Sequence, residues 1–474
     1  MKSEVRAKER DLEGTTVSII GLGASGLAAA LLAEHRGADV YVSEIRTDAE
    51  TRARRDRLDT HGVAVDLGRH DIDRIARSAL VVVSPGIPPN SDVLSALREQ
   101  GVRWVSEPEF AVRYLPGPLI SVTGTNGKTT TTVLIAHLLK AGGLDAAFGG
   151  NVGPTVGPPA SGLALLDPAP DWTVLEMSSF QLADVRTFRP DIGVVTNLAP
   201  DHLDRYETVS AYFADKARLF DTATAASRWV LNGDDPAVLV LPADAPGARY
   251  RFSLREEPDQ GAFIRDEYLV LRVDGVDEEV LSADQLPLVG APGRANALAA
   301  ALVARLSGVE VASIAAGLRS FRPLPDRLEP LGEEGGVLWV NDSKATNVAA
   351  TSAALSSLGR PCVVLLGGTD KDEAFESLRQ GLESGARAVV VYGAAADRMQ
   401  TALQGLSVPV VRVEGSFEDA VHAGREMAQA GDALLLSPAC SSFDMFRNFH
   451  ERGERFREVA AEAGARWSGS GGAA

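Results

Sequence analysis

Short β-branched runs alternate with Ala- and Leu-rich stretches along this chain, and the alternation restarts three times. The β-branched runs suit strands and the Ala/Leu-rich stretches suit helices. A repeated strand–helix–strand order makes the strands parallel, because each helix carries the chain back to the starting end of the sheet. The chain is therefore read as α/β, with an open parallel sheet in each block. The first block holds "TTVSIIG", "DVYVSE" and "ALVVVSPGIPP", and ends at Pro116-Gly117-Pro118, a linker signal. The second opens at "LISVTG" and runs through "WTVLEMSS", "DIGVVTNL" and "SRWVLNGDD". A more β-rich stretch follows from about Tyr250 to Val289, then the helical "NALAAALVARLSG". After the proline-rich "FRPLPDRLEP", the third block carries "GVLWVND", "PCVVLLGG", "AVVVYG", "VPVVRV" and "DALLLSPA". Domains are expected at 1–116, 117–323 and 324–474, with a disordered tail after about 468.

Charge narrows the partners. Lys and Arg number 47 against 64 Asp and Glu, a formal net charge of −17. A nucleic-acid partner demands a broad basic face, so none is expected, although a local basic pocket for a small phosphate is compatible. Cys362 and Cys440 are too few for a disulfide framework and suit a reducing compartment. The start, "MKSEVRAKERDLEG", lacks the apolar core of a secretory signal, and no apolar run nears the ~20 residues of a membrane span. The expectation is a cytoplasmic enzyme or nucleotide-binding protein with no membrane partner.

Two glycine turns follow strands and open helices. Gly21, Gly23 and Gly26 fit G-x-G-x-x-G, where backbone amides approach a pyrophosphate, and Glu44 ends the next strand at a place suited to a ribose. The motif alone serves a nicotinamide dehydrogenase, a UDP-sugar site or a purely structural turn. The second turn, "SVTGTNGKTTTT", ends as a phosphate loop should, at Gly127-Lys128-Thr129. The usual pattern places its first glycine at position 122, and here that residue is Val122. Gly124, Gly127 and the amides between them are expected to wrap phosphate oxygens, with Lys128 as a point charge and the Thr129 hydroxyl on Mg²⁺. A structural glycine turn with a surface lysine accounts for neither the strand–loop–helix context nor the four threonines after Lys128.

Downstream strand ends are polar, where open α/β sheets gather ligands. Glu176 ends one strand; Asn197, Asp201 and His202 follow another, and Glu176 and His202 are candidate metal ligands. In the third block, "NDSKATN", "GGTDKD" and "SPACSSFDMFRNF" place Lys344, Lys371, Ser441 and Ser442 where a small anionic substrate would bind. Together the blocks provide for a nucleotide diphosphate, a triphosphate with metal, and an anion. Such parts suit a reaction that activates one substrate with ATP and joins it to another.

"GTNGKTTTT", "GGNVG", "EMSSFQL", "TNLAPDHLDRY", "NDSKATN" and "SPACSSFDMFRNFHERG", in this order, resemble the Mur ligases of peptidoglycan synthesis. The resemblance spans Gly21 to Gly453, and the short loop with Val122 is that family's own variant. "SSFQL" and the "SPACSSFDMFRNF" segment point to the D-glutamate-adding member, and the D-N-P-R segment of the diaminopimelate- or lysine-adding sibling is absent. The resemblance implies a Rossmann-like N-terminal domain, a central P-loop-type ATPase domain with a parallel sheet plus a smaller β-rich part, and a Rossmann-like C-terminal domain. It implies a monomer that uses ATP and two Mg²⁺ ions, with UDP-N-acetylmuramoyl-L-alanine and D-glutamate as substrates.

The family's roles fall on matching positions. ATP is expected at Gly124, Thr125, Asn126, Gly127, Lys128, Thr129 and Thr130, with Asn296, Arg327 and Asp342 on the adenine and ribose side. Metal ligation falls to Thr129, Glu176, His202 and Lys216, the last matching a lysine that the family carbamylates; from sequence alone Lys216 reads as an exposed helix lysine. The UDP substrate is assigned to Ala24, Ser25, Glu44, Ile45, Arg46, Gly86, Asn151 and Gln181. D-Glutamate is assigned to Thr346, Lys371, Ser442, Phe443 and Phe449, with Lys344 near the reacting phosphoryl. Lys128, His202, Lys216 and Lys344 form the catalytic set. Two departures touch the adenine side: "GAPGRAN" keeps Asn296 but not a second asparagine, and Asp326 stands where a histidine usually precedes the arginine. An NAD-dependent oxidoreductase and a non-catalytic nucleotide-binding regulator are the competing readings.

Overall fold

The computed structural model describes residues 12–115, 117–201 and 206–466. The chain divides into two compact units, Met1–Leu281 with Leu298–Gly317, and Ser282–Ala297 with Leu318–Ala474.

The first unit holds two sheets. Strands β1 (Thr16–Ile20), β2 (Asp39–Glu44), β3 (Ala64–Leu67), β4 (Leu80–Val83) and β5 (Val105–Ser106) form a parallel sheet in the order β3-β2-β1-β4-β5. Ile19, Val42 and Val82 are buried on one face and Ile20 and Val81 on the other, as a sheet covered on both faces requires. Each such side chain contributes roughly 1.5–3 kcal/mol relative to exposure. The order reverses between β1 and β4, so the turns after these strands frame the crevice where such sheets bind ligands.

The second sheet has nine strands: β6 (Leu119–Thr123), β7 (Ala146–Gly150), β8 (Trp172–Glu176), β9 (Ile192–Val195), β10 (Arg228–Asn232), β11 (Ala248–Ser253), β12 (Gly261–Arg265), β13 (Tyr268–Val273) and β14 (Val276–Ser282). Their order is β14-β13-β12-β11-β10-β9-β6-β8-β7. The smaller β-rich part continues the main sheet, because β11 pairs parallel to β10 and β12 parallel to β11. Only then does the chain turn back, at Asp266-Glu267, where both φ angles are positive (48° and 65°), as a tight two-residue hairpin needs.

Two buried carboxylates join these sheets. Glu109 accepts the N–H groups of Arg186, Thr187 and Phe188 at 3.1, 2.9 and 2.9 Å, and Glu107 accepts that of Ser161 at 2.5 Å. Burial pushes the Glu107 carboxyl up to about 7.

The second unit carries β15 (Glu329–Glu334), β16 (Val337–Asn341), β17 (Cys362–Gly367), β18 (Ala386–Tyr392), β19 (Val410–Arg412) and β20 (Ala433–Leu436), in the order β15-β16-β20-β17-β18-β19. All pairs are parallel except β15 with β16. The chain passes between units within the helix Gly290–Leu306. That helix starts six residues before the expected "NALAAALVARLSG", taking in the whole of "GAPGRAN". Pro292 is no obstacle there, since first-turn N–H groups have no intrahelical acceptor to lose. Among the described residues no helix is long and apolar enough to cross a membrane.

Candidate active site

Val122 lies inside β6, fully buried and paired with Glu176 of β8 and Val194 of β9. The loop therefore starts after Thr123, and Gly127, with φ 79°, caps the helix Lys128–Ala141. Gly124 is obligatory at the start of the loop. Its φ is 138°, and a Cβ there would meet Thr196 Oγ1 at 2.0 Å.

The loop is held from below by the strand beside it. The Thr125 N–H donates to Asn197 O at 2.8 Å and the Asn126 N–H to Asn197 Oδ1 at 2.9 Å. Thr196 Oγ1 and Asn197 Nδ2 donate to Asn126 O at 2.7 and 3.0 Å. The amides of Thr125 and Asn126 are thus taken by Asn197 and position the loop. The first-turn amides of the helix, Lys128, Thr129 and Thr130 among them, have no intrahelical acceptor, and with the helix dipole they suit an anion. Lys128 Nζ donates to Thr125 O at 2.7 Å, folded over the loop.

Lys216, on the helix Val209–Ala217, is not an exposed lysine. It is 1% exposed, and its Nζ donates to Gly124 O at 2.8 Å and lies 4.6 Å from the Tyr212 ring centroid. Burial, with the Lys128 charge second, pushes its ammonium down to about 7. The neutral amine is thus accessible near neutral pH, which is the form that adds CO₂. Sequence reasoning missed Tyr212, one helical turn earlier, whose hydroxyl lies 3.3 Å from Thr125 Oγ1. Its spacing of four residues from Lys216 was the available signal.

Glu176 ends β8, is 2% exposed, and its Oε1 accepts from Asn151 Nδ2 at 3.1 Å. Thr129 is also buried. A hydroxyl and a carboxylate are the hard oxygen donors that Mg²⁺ takes, and Mg²⁺ bound beside phosphates needs only one or two from the protein. Among the described residues no three His, Cys, Asp or Glu side chains converge as a dedicated metal cage. The residues present therefore fit Mg²⁺ held jointly with a nucleotide. His202 lies outside the described residues.

Of the residues assigned to the UDP substrate, Ala24, Ser25, Asn151 and Gln181 line one cleft with Pro85, Gly150 and Pro159. The cleft sits at the first sheet's order reversal and reaches the β7 end of the second sheet. Gln181 is fixed by a capping box with Ser178. Glu44, Ile45, Arg46 and Gly86 are outside that lining. Both Glu44 oxygens meet protein donors: Leu22 N–H at 2.8 Å, and Arg46 N–H at 2.9 Å. Burial opposes its charge, but these bonds and the Arg46 guanidinium prevail and hold the carboxyl below its ordinary range. Glu44 thereby shapes the glycine turn that sequence reasoning placed beside it. Ile45 is 58% exposed.

In the second unit, three strand-end loops meet. Thr369 and Ser441 exchange backbone bonds at 2.8 and 3.1 Å, and Lys371 Nζ donates to Thr346 O at 3.1 Å. Lys344 Nζ lies 4.8 Å from the Phe449 ring centroid. Ser442 is buried and Phe443 is exposed. Arg452, 1% exposed, knits the three loops together, donating to Ser343 O and Oγ, Gly367 O and Cys440 O at 2.9–3.4 Å. Sequence reasoning missed it, though it stands in "FHERG". Asp342 accepts Ser437 Oγ at 2.9 Å and Leu328 N–H at 3.1 Å, and burial pushes its carboxyl up to about 7. Arg327 is half-buried nearby, and Asn296 is half-buried in the first helix of this unit.

Three family descriptions match in chain order: Mur ligase MurD-like N-terminal domain over residues 15–106, Mur ligase middle domain over 122–304, and Mur ligase glutamate ligase domain over 326–440. A UDP-N-acetylmuramoylalanine–D-glutamate ligase from Acidobacterium capsulatum is 40% identical over 460 residues, covering 96% of this chain and 98% of the relative. Its namesake from Koribacter versatilis is 36% identical over 449 residues, covering 95% and 98%. Among solved structures, a pseudomurein peptide ligase type C from Methanothermus fervidus aligns with a TM-score of 0.57 at 20% identity, covering 94% of this chain and 99% of its own. A UDP-N-acetylmuramate–alanine ligase from Thermotoga maritima aligns with a TM-score of 0.57 at 18% identity, covering 95% and 100%. The structural likenesses speak to the fold, and the full-length relatives to the lineage: the chain belongs to the Mur ligase family, alongside its D-glutamate ligases.

Proposed function

We propose that this chain is an ATP-dependent ligase that joins D-glutamate to UDP-N-acetylmuramoyl-L-alanine through an acyl phosphate. The observation that carries the proposal is the meeting of the phosphate loop, the end of β8 and the buried Lys216 amine at the carboxyl ends of neighbouring strands. The shared name of the relatives supports the substrates.

A carboxylate is a poor electrophile. Its oxygen attacks the γ-phosphorus of ATP and ADP departs; the resulting acyl phosphate has a good leaving group. The D-glutamate amine then attacks the acyl carbon, loses a proton, and phosphate leaves. Charge spreads over the transferred phosphoryl oxygens, so Lys128 and the first-turn amides do their work by electrostatics. Thr129, Glu176 and carbamylated Lys216 would hold Mg²⁺, with His202 as the further ligand. The bound metal would neutralise phosphoryl charge. Carbamylation turns the Lys216 amine and CO₂ into a carbamate plus a proton, converting a buried cation into an oxygen ligand.

The cleft of Ala24, Ser25, Asn151 and Gln181 takes part of the UDP substrate. Its volume of about 140 Å³ is below the roughly 300 Å³ of a whole ligand pocket, which leaves the uridine to Glu44, Ile45, Arg46 and Gly86. Asn296, Arg327 and Asp342 take the adenosine side. Thr346, Lys371, Ser442, Phe443 and Phe449 take D-glutamate, with Lys344 at the transferring phosphoryl. The domain boundaries at about 116 and 323, and a monomeric state, complete the reading.

The test follows an oxygen atom. With ¹⁸O in the substrate's alanyl carboxylate, one label is expected in the released inorganic phosphate by mass spectrometry. Label in AMP, or none in phosphate, contradicts an acyl-phosphate route.

A further inference from the structure

Arg327 is flanked by two non-glycine residues in the left-handed region, Asp326 with φ 63° and Leu328 with φ 43°. Such backbone persists only where its surroundings over-determine it, and such positions gather at functional sites. What holds this turn is mostly one side chain. Asp326 is fully buried. Its Oδ1 accepts from Asn341 Nδ2 and from an Arg457 guanidinium nitrogen, each at 2.9 Å, and its Oδ2 lies 2.7 Å from His450 Nδ1. Its N–H donates to Glu329 Oε2 at 3.0 Å, and its carbonyl accepts the Lys344 N–H at 3.1 Å. Leu328 closes the turn by donating to Asp342.

The fit is tight. His450 and Arg457 lie on the helix Phe449–Glu462, and Gly453 of that helix faces the carboxylate. A Cβ at Gly453 would stand 1.9 Å from Asp326 Oδ1. The helix thus keeps a bare position where the carboxylate enters. Asp326 is also where the family resemblance leads one to expect histidine. In this chain the position carries the carboxylate of the pair and His450 the imidazole.

We propose that Asp326 is a positioning residue for the reaction. Paired with His450 and Arg457, it holds the strained turn that presents Arg327, and through its carbonyl it fixes the Lys344 amide. One buried carboxylate thereby sets both the nucleotide side and the transfer side of this unit. The roles of Arg327 and Lys344 rest on the ligase reading above.

A charge swap tests it on the full chain. Asp326→Asn, Asp326→His, His450→Glu and the double variant Asp326→His/His450→Glu are compared by steady-state kinetics, calorimetric ATP titration and thermal unfolding. Asp326→Asn is expected to raise KM and Kd for ATP at least 10-fold, with KM for the UDP substrate within 2-fold. Asp326→His places an imidazole against His450 and Arg457 and is expected to be worse. The double variant restores an imidazole–carboxylate pair across the 326–450 contact, though Arg457 still faces the imidazole, and is expected to regain part of the logarithmic loss. Unchanged ATP affinity in folded Asp326→Asn overturns the proposal. So do equal shifts in all three KM values, which indicate a general structural role, and a double variant no better than the poorer single one. A wild type that binds ATP but releases no phosphate would count against the ligase reading alone, because the calorimetric comparison still decides the role of Asp326.

Discussion

Lys128→Ala is expected to lower kcat about 10²–10³-fold, the size of effect seen when one charge-stabilising donor is removed at a transition state. The ammonium sits over the loop, within 2.7 Å of Thr125 O, and no other lysine is carried by the loop itself. The cleft proposed for the UDP substrate is lined by other residues, so KM for that substrate should stay within about 3-fold. Steady-state phosphate release with each substrate varied in turn checks both statements. A kcat within 10-fold of the parent removes Lys128 from the chemistry and leaves it a structural clasp on the loop.

Lys216→Ala is expected to lose at least about 10²-fold in turnover, and to recover part of it with short carboxylates such as acetate, which supply the oxygen ligand that the carbamate would. The amine must be neutral to add CO₂. With its folded value at about 7, activity at fixed CO₂ should fall as pH drops below 7. The sign for stability is the opposite of an ordinary ion pair. Between about pH 7 and the unfolded value near 10.4, the unfolded chain holds a proton that the folded chain has released, so stability rises with pH across that window. Lys216→Met should therefore remain folded at neutral pH while losing activity, separating chemistry from folding. Full activity in Lys216→Ala, or an inactive variant indifferent to carboxylates, contradicts the carbamate.

Much of this was legible in the sequence, for local reasons. "TTVSIIG" and "LISVTG" read as buried strands because β-branched and apolar residues dominate them, although Ser18, Ser121 and Thr123 are buried too, and the glycines after them suit a turn or a close approach. The phosphate loop was legible with Val122 in place, since a valine prolongs β6 and moves the turn two residues on. The start of the helix at Gly290 was not, because Gly, Pro and Gly read as breakers although a first turn tolerates them. The burial of Lys216 was invisible, for it depends on Gly124, 92 positions away. Asp326 was noticed as a departure, but its meaning lay in His450 and Arg457, 124 and 131 positions away. Local pattern reports which residues sit at strand ends; it does not report which of them are buried together.

The ligase reading is decided by inorganic phosphate released from ATP and Mg²⁺ in the presence of UDP-N-acetylmuramoyl-L-alanine, with D-glutamate, L-glutamate or no amino acid added. It predicts sustained release with D-glutamate, accompanied by equimolar ADP and amide product, and little with L-glutamate or without amino acid. Release that ignores the amino acid, or none under saturating substrates, contradicts it.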